Sequence, residues 1–104
     1  MEASTMDGGK LAAQLSALSG RDWAFKASTD PDCEDDSIDL EGTGWAIQIG
    51  EDGSLMLNFF SGTWMRDIAE ARDSTRMLNI ILANFKGKSD LQLLELGHCG
   101  EYIK

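Results

Sequence analysis

The strongest constraint on the fold is a pair of segments in which apolar residues occupy every second position. Trp45, Ile47 and Ile49 follow this pattern, and after the turn sequence GEDG the same alternation resumes at Leu55. Successive side chains of a strand point to opposite faces of a sheet, so a period of two indicates strands with one buried face. A glycine-containing turn between two such strands is typical of a hairpin. The sequence therefore predicts a central β-hairpin over residues 45–60.

The hairpin has a second face, which carries Met56 and Phe60. Because both residues lie on the face opposite Leu57, they are the best candidates for an exposed surface or a second buried one. The rings of Phe60, Trp45 and Trp64 are expected in the core by default. Only exposure would make them anchors of an interface.

A helix is predicted near the N-terminus. Leu11, Leu15 and Leu18 recur at intervals of four and three, which is the spacing of one helix face. We expect this helix to run from about Met6 to Leu18. Gly20 then supplies a stop signal.

A second stretch with helical spacing extends over residues 64–85. Its apolar positions are separated by four and three residues in turn: Trp64, Ile68, Ala71, Thr75, Leu78, Leu82 and Phe85. One uninterrupted helix over this range would be roughly 33 Å long, which is long for so small a domain. Asp73 or Ser74 can cap a new helix by accepting a hydrogen bond from a free amide. We therefore expect two helical pieces or one bent helix.

The remaining segments complete the predicted fold. Alternation predicts a strand from Trp23 to Ala27 and a short one around Ile38 to Leu40, whereas the leucines of residues 91–96 fit a strand or a helix equally well. A chain of 104 residues can bury one core, so we expect a single domain over residues 1–104. The predicted class is α+β, with three to five mostly antiparallel strands and the helical segments packed on them.

The net charge of the chain comes from one stretch. Eighteen acidic residues against nine basic ones give a formal charge of −9. Half of the acids lie in a stretch without any base: Asp30, Asp32, Glu34, Asp35, Asp36, Asp39, Glu41, Glu51 and Asp52. The rest of the chain is neutral, and the hairpin would fold the two ends of this stretch together. We therefore expect one negative face.

This acidic stretch has two interpretations. It is either a solvated loop that keeps the protein soluble or a docking face for a basic protein partner. Like charges at this density repel one another, and a partner that brings Lys or Arg would relieve the repulsion and associate faster. In the second interpretation the nine carboxylates are the partner-binding residues. Their charge disfavours direct binding to nucleic acids or to anionic membranes.

Metal binding is a further hypothesis for the same stretch. Five acids occupy positions 1, 3, 5, 7 and 12 of a calcium-loop register: Asp30, Asp32, Glu34, Asp36 and Glu41. Position 6 is Asp35, where the sharp turn of such a loop needs glycine, and neither flank predicts a helix. The match is poor, so we predict neither a bound metal nor another cofactor.

Catalytic signatures are weak throughout the sequence. Cys33 lies between two carboxylates, which oppose formation of a thiolate. His98 and Cys99 are adjacent, and adjacent residues of a strand point to opposite faces, so His98 is expected as a surface or capping residue. No nucleophile elbow, P-loop, dinucleotide fingerprint, CxxC or HExxH occurs. We expect no catalytic residues and no enzyme; a small metal-dependent enzyme or sensor that uses the acidic loop is the alternative.

The favoured function is a noncatalytic protein that blocks or chaperones a basic partner, including one that binds nucleic acids. Immunity proteins, antitoxins, phage-encoded inhibitors of defence nucleases and secretion chaperones are similar in composition. A structural protein that self-associates, for example as a homodimer, is another alternative, because the 64–85 segment has a basic flank. With two cysteines, no secretory signal pattern and no apolar run of roughly 20 residues, the chain is expected in the cytoplasm.

Overall fold

The computed structural model describes residues 8–26, 36–40, 42–50, 53–62 and 64–99. Within these ranges the elements follow in the order α1 (Gly8–Ser19), β1 (Trp23–Lys26), β2 (Asp36–Leu40), β3 (Trp45–Ile49), β4 (Leu55–Ser61), β5 (Trp64–Ala71), α2 (Ser74–Phe85) and α3 (Asp90–Cys99). The predicted α+β class is confirmed.

The five strands form one antiparallel sheet in sequence order, with β1 and β5 at its edges. The predicted hairpin is formed by β3 and β4, with Trp45 opposite Phe59 and Ile47 opposite Leu57. Gly53 in the connecting turn has a φ of 86°, a left-handed conformation that glycine adopts without strain. The two shorter predicted strands are β1 and β2.

The hydrophobic core lies between the sheet and the helices. α1 contacts β1, β2 and α2, and α2 contacts β5. Leu11 and Leu15 are buried as predicted, whereas Leu18 in the last turn of α1 is 48% exposed. Gly20 ends α1 with a φ of 77°, and its N–H donates to the Ser16 carbonyl at 3.1 Å. The core also contains Ile38, Ile47, Leu57, Ile68, Met77 and Ile81.

The expected helical segment over residues 64–85 is wrong in its first part, because residues 64–71 form the edge strand β5. A β-bulge explains the misleading spacing: Ile68 is an extra residue between two that pair with β4. The bulge brings Ile68 and Ala69 to buried positions in succession, so the apolar residues lose their period of two. The intervals of four and three that result coincide with those of a helix.

Side-chain caps define the starts of α2 and α3. The Asp73 carboxylate, one of the two predicted caps, accepts a hydrogen bond from the Arg76 N–H at 2.8 Å. Residues 90–99 adopt the helical alternative. At the start of α3, the Gln92 N–H donates to the Ser89 hydroxyl at 3.1 Å, and the Ser89 N–H donates to the Gln92 side-chain oxygen at 2.8 Å. This reciprocal pair is a capping box.

α3 packs on the same side of the sheet as the other helices. Its Leu93 is fully buried, and the Trp45 indole N–H donates to the Leu93 carbonyl at 3.2 Å. Gly97 lies so close to the Phe59 ring that a Cβ atom would overlap it. All three helices therefore cover one side of the sheet.

Candidate functional site

No helix that the structure describes covers the other side of the sheet, which we call the open face. Strand alternation and pairing assign its side chains: Ala24, Lys26, Ser37, Asp39, Ala46, Gln48, Met56, Asn58, Phe60, Met65, Asp67 and Glu70. Met56 and Phe60 thus lie opposite Leu57, as predicted. Because an uncovered sheet face is normally polar and solvated, buried polar groups and exposed apolar groups on it are informative.

Asn58 lies on the open face of β4, next to the edge strand β5, and is fully buried. Its cross-strand neighbours are Ala46 on β3 and Asp67 on β5. Asn58 Nδ2 donates to Asp67 Oδ1 at 2.7 Å, while Asn58 Oδ1 is buried and has no hydrogen-bond partner among the described residues. A buried acceptor without a donor costs about 1–3 kcal/mol. This carbonyl therefore marks a place where a donor from another molecule would be favourable.

A groove of about 490 Å³ lies on the same face, and its lining includes Ala46, the cross-strand neighbour of Asn58. Gly44 and Ala46 lie among its small lining residues, and Phe60 of β4 and Lys26 of β1 border it. Gly44 has a φ of 88°, and a Cβ atom there would meet the Phe60 carbonyl oxygen. The small residues Gly44 and Ala46 leave a depression between Lys26 and Phe60.

The open face has an excess of negative charge. Its charged strand residues are three acids, Asp39, Asp67 and Glu70, and one base, Lys26. Lys26 Nζ lies 3.3 Å from Asp39 Oδ2, and an ion pair this exposed contributes at most about 1 kcal/mol. Arg66, which precedes Asp67, projects to the helix side, where its guanidinium lies over the Trp64 ring. The sign of this face therefore agrees with the net charge of the chain.

Two apolar side chains are exposed beside these acids. Phe60 and Met65 pair across β4 and β5 and are 41% and 46% exposed. Trp64 is 39% exposed on the helix side, with its ring centre 5.7 Å from that of His98. The expectation of a core position is thus correct for Trp45 and wrong for Phe60 and Trp64. Exposed aromatic side chains are typical anchors of protein interfaces.

Two of the nine predicted partner-binding carboxylates lie within the described residues. Asp39 belongs to the open face, whereas Asp36 pairs with Ile49 on the helix side, because the two acids are an odd number of positions apart along β2. The other seven lie outside the described residues: Asp30, Asp32, Glu34, Asp35, Glu41, Glu51 and Asp52. One negative face formed by all nine stays a prediction. The structure adds Asp67 and Glu70 as acids that the sequence did not single out.

The calcium-loop register also falls outside the described residues, except for Asp36. Across the described ranges, no three His, Cys, Asp or Glu side chains are arranged to hold a metal ion. No helix in that part of the chain is long and apolar enough to cross a membrane.

His98 and Cys99 end α3 rather than lying in a turn or a strand. The His98 imidazole meets the rings of Phe59 and Trp64 edge to face, with centroid distances of 5.3 and 5.7 Å. Cys99 is a free, exposed thiol, and Cys33 lies outside the described residues. The histidine therefore packs the end of α3 against the aromatic residues of the sheet.

Sequence reasoning missed the pair formed by Asn58 and Asp67. Asp67 falls within the stretch 64–85, for which the apolar spacing predicts a helix, so contact with Asn58 is not expected from the sequence. One signal was present: Asn58 is the polar interruption of the otherwise apolar stretch LMLNFF. A polar residue there, between core positions of a predicted strand, had to lie on the second face of the hairpin.

Comparison with known protein families, curated proteins and solved structures gives no significant match in any of the three sets. A functional proposal therefore has to rest on the chemistry of the open face.

Proposed function

We propose that this protein is a cytoplasmic, noncatalytic binding protein that blocks or chaperones a basic protein, which docks on the open face. The supporting observation is that a sheet face covered by no described helix combines an excess of carboxylates with the exposed side chains of Phe60 and Met65. Carboxylates attract and orient a partner rich in Lys or Arg, and apolar anchors exclude water from the contact. The exposed thiol of Cys99 agrees with a reducing compartment.

Long-range attraction and short-range contact have different sources in this proposal. The charge of −9 accelerates the encounter with a basic protein and makes the association rate sensitive to salt. Asp39, Asp67 and Glu70 then make the close contacts. If the partner binds nucleic acids, these carboxylates occupy the positions that phosphates would take, and the protein acts as a nucleic-acid mimic in the manner of an inhibitor or immunity protein.

In the proposal, the acids of residues 30–52 add to the attraction for the basic partner. Replacing Asp35, Asp36 and Asp39 with Asn should lower the association rate constant for a basic partner more than it raises the dissociation rate constant. An unchanged association rate at low salt would show that these three acids take no part in docking.

Affinity capture from a lysate of the native host tests the role of the open face. Three columns each carry one form of the full chain. The first carries the wild type, the second the open-face variant Asp67→Asn with Glu70→Gln, and the third the matched control Asp22→Asn with Glu95→Gln. Both double variants change the net charge equally, and the control acids are exposed residues outside the open face. Basic proteins should elute from the open-face variant at lower salt than from the other two columns. Equal elution from all three columns would contradict the proposal.

Self-association is a second candidate, supported by one observation. Four bases at the two ends of α2 are exposed: Arg72, Arg76, Lys86 and Lys88. These bases of one copy would contact the open face of a second copy. Contact between two different surfaces builds rings or filaments rather than a two-fold dimer. Sedimentation velocity at low salt would then show a mass that rises with concentration for the wild type and not for the Asp67→Asn, Glu70→Gln variant.

A further inference from the structure

The amide of Asn58 is held in one orientation by its neighbour. Its Nδ2 donates to Asp67 Oδ1 at 2.7 Å. The reverse orientation would bring two acceptor oxygens together, so this bond assigns the positions of Oδ1 and Nδ2. The carbonyl oxygen is left buried without a donor among the described residues. The pair therefore offers acceptors on a negatively charged face, and no described residue donates to the Asn58 carbonyl.

We infer that Asn58 and Asp67 form a recognition site for an arginine side chain of the basic partner; this inference rests on the proposed function. A guanidinium carries five N–H donors in one plane and no acceptor, so it can donate to the Asn58 carbonyl and to the Asp67 carboxylate at the same time. A lysine ammonium is a compact and strongly hydrated charge that does not match two acceptors in a fixed plane. The site therefore selects arginine over lysine.

The surroundings of the pair suit a guanidinium. Phe60 lies two residues from Asn58 on the same strand face, and Met65 lies opposite Phe60 on β5. A guanidinium is weakly hydrated and stacks on aromatic rings, so these side chains provide a favourable contact. Glu70 adds negative charge on the same face, and Arg66 projects to the helix side and does not fill the site.

Binding requires a local opening, because solvent does not reach Asn58 Oδ1 in the free protein. Met56 and Phe60 flank Asn58 on β4. Met56 is unbranched and has three rotatable side-chain bonds, so it can change rotamer at little cost. A rotamer change of Met56 beside Asn58 would make room for the approaching guanidinium.

An NMR titration of the ¹⁵N-labelled full chain tests this selectivity. The probes are the blocked peptides Ac-Gly-Arg-Gly-NH₂, Ac-Gly-Lys-Gly-NH₂ and the uncharged citrulline counterpart. The arginine peptide should shift the Asn58 side-chain amide saturably, with a dissociation constant about tenfold below that of the lysine peptide, the factor expected from one further charge-assisted hydrogen bond. The citrulline peptide should bind more weakly than the arginine peptide. Equal affinities for arginine and lysine, or saturable binding that leaves Asn58 unshifted, would overturn the inference.

Matched variants add a second readout. Asn58→Leu has the same branching as Asn and lacks the carbonyl, so it should lose the preference for arginine while its affinity for the lysine peptide stays within about twofold. Ser37→Ala, on the same face and away from the pair, should keep the preference. An arginine preference that survives in Asn58→Leu would overturn the inference. If Asn58→Leu does not fold, the titration of the wild type decides.

Failure of this inference can be told apart from failure of the proposed function. If the two cationic peptides bind equally while Asp67→Asn with Glu70→Gln still weakens the capture of basic proteins, only the selectivity for arginine is wrong. If that double variant also captures basic proteins as the wild type does, the open face is not the docking surface.

Discussion

Replacing Asn58 with Asp tests the buried pair on the open face most sharply. The variant keeps the shape of the side chain and places a second carboxylate against Asp67, where 2.7 Å now separates Nδ2 from Oδ1. At that distance two unit charges repel by about 6 kcal/mol for an effective dielectric constant of about 20. Because Asp67 is exposed and can turn toward water, we expect roughly half of this value, a loss of about 3 kcal/mol in the free energy of unfolding.

Urea unfolding followed by tryptophan fluorescence measures this loss. A domain of this size is typically stable by about 5–15 kcal/mol, so a loss of about 3 kcal/mol is readily resolved. Two carboxylates this close share a proton, so the folded variant binds more protons than the unfolded one. The loss of stability should therefore become smaller as the pH falls from about 7 to about 4. Asn58→Leu is the control and should stay within about 1 kcal/mol of the wild type, because removing the unpaired carbonyl offsets the lost bond to Asp67. An Asn58→Asp variant as stable as the wild type at pH 7 would refute the burial of this amide against Asp67.

Two further substitutions test the elements that support the sheet. Asp73→Ala removes the side-chain cap of α2 and should lower the free energy of unfolding by about 1 kcal/mol in urea titrations, whereas Ser74→Ala should change it by less than about 0.5 kcal/mol. Equal effects of the two would show that the cap is misassigned. Gly97→Ala places a Cβ atom on the Phe59 ring and should cost about 1–3 kcal/mol, with a change in the near-ultraviolet circular dichroism of the aromatic cluster. Unchanged stability and spectrum would mean that α3 does not pack on Phe59.

Local sequence patterns predict most of the fold, because each pattern reflects one physical rule. The alternation around Trp45 and Leu57 could be read as a hairpin, since both strands bury one face and Gly53 permits the turn. The cap at Asp73 could be anticipated from its acceptor oxygen. The helix from Gly8 to Ser19 followed from the leucine spacing, and its end followed from Gly20.

The strand β5 and the contact between Asn58 and Asp67 could not be predicted from local patterns. An extra residue at Ile68 changes the apolar spacing from that of a strand to that of a helix. No local sequence pattern predicts such a bulge. If residues 64–71 formed a helix, as their spacing predicts, Asp67 would have no reason to meet Asn58. Their contact depends on strand pairing, which is a property of the tertiary structure.

Docking of a basic partner on the open face is tested most directly by methionine methyl NMR. In the full chain labelled at the methionine methyl groups, Met56 and Met65 report on the open face, and Met77 is fully buried in the core. With a deca-arginine peptide at low salt, we predict saturable shifts of Met56 and Met65 that weaken in the Asp67→Asn, Glu70→Gln variant, while Met77 stays unmoved. Saturable binding that leaves Met56 and Met65 unshifted would contradict the proposal that the open face is the docking surface.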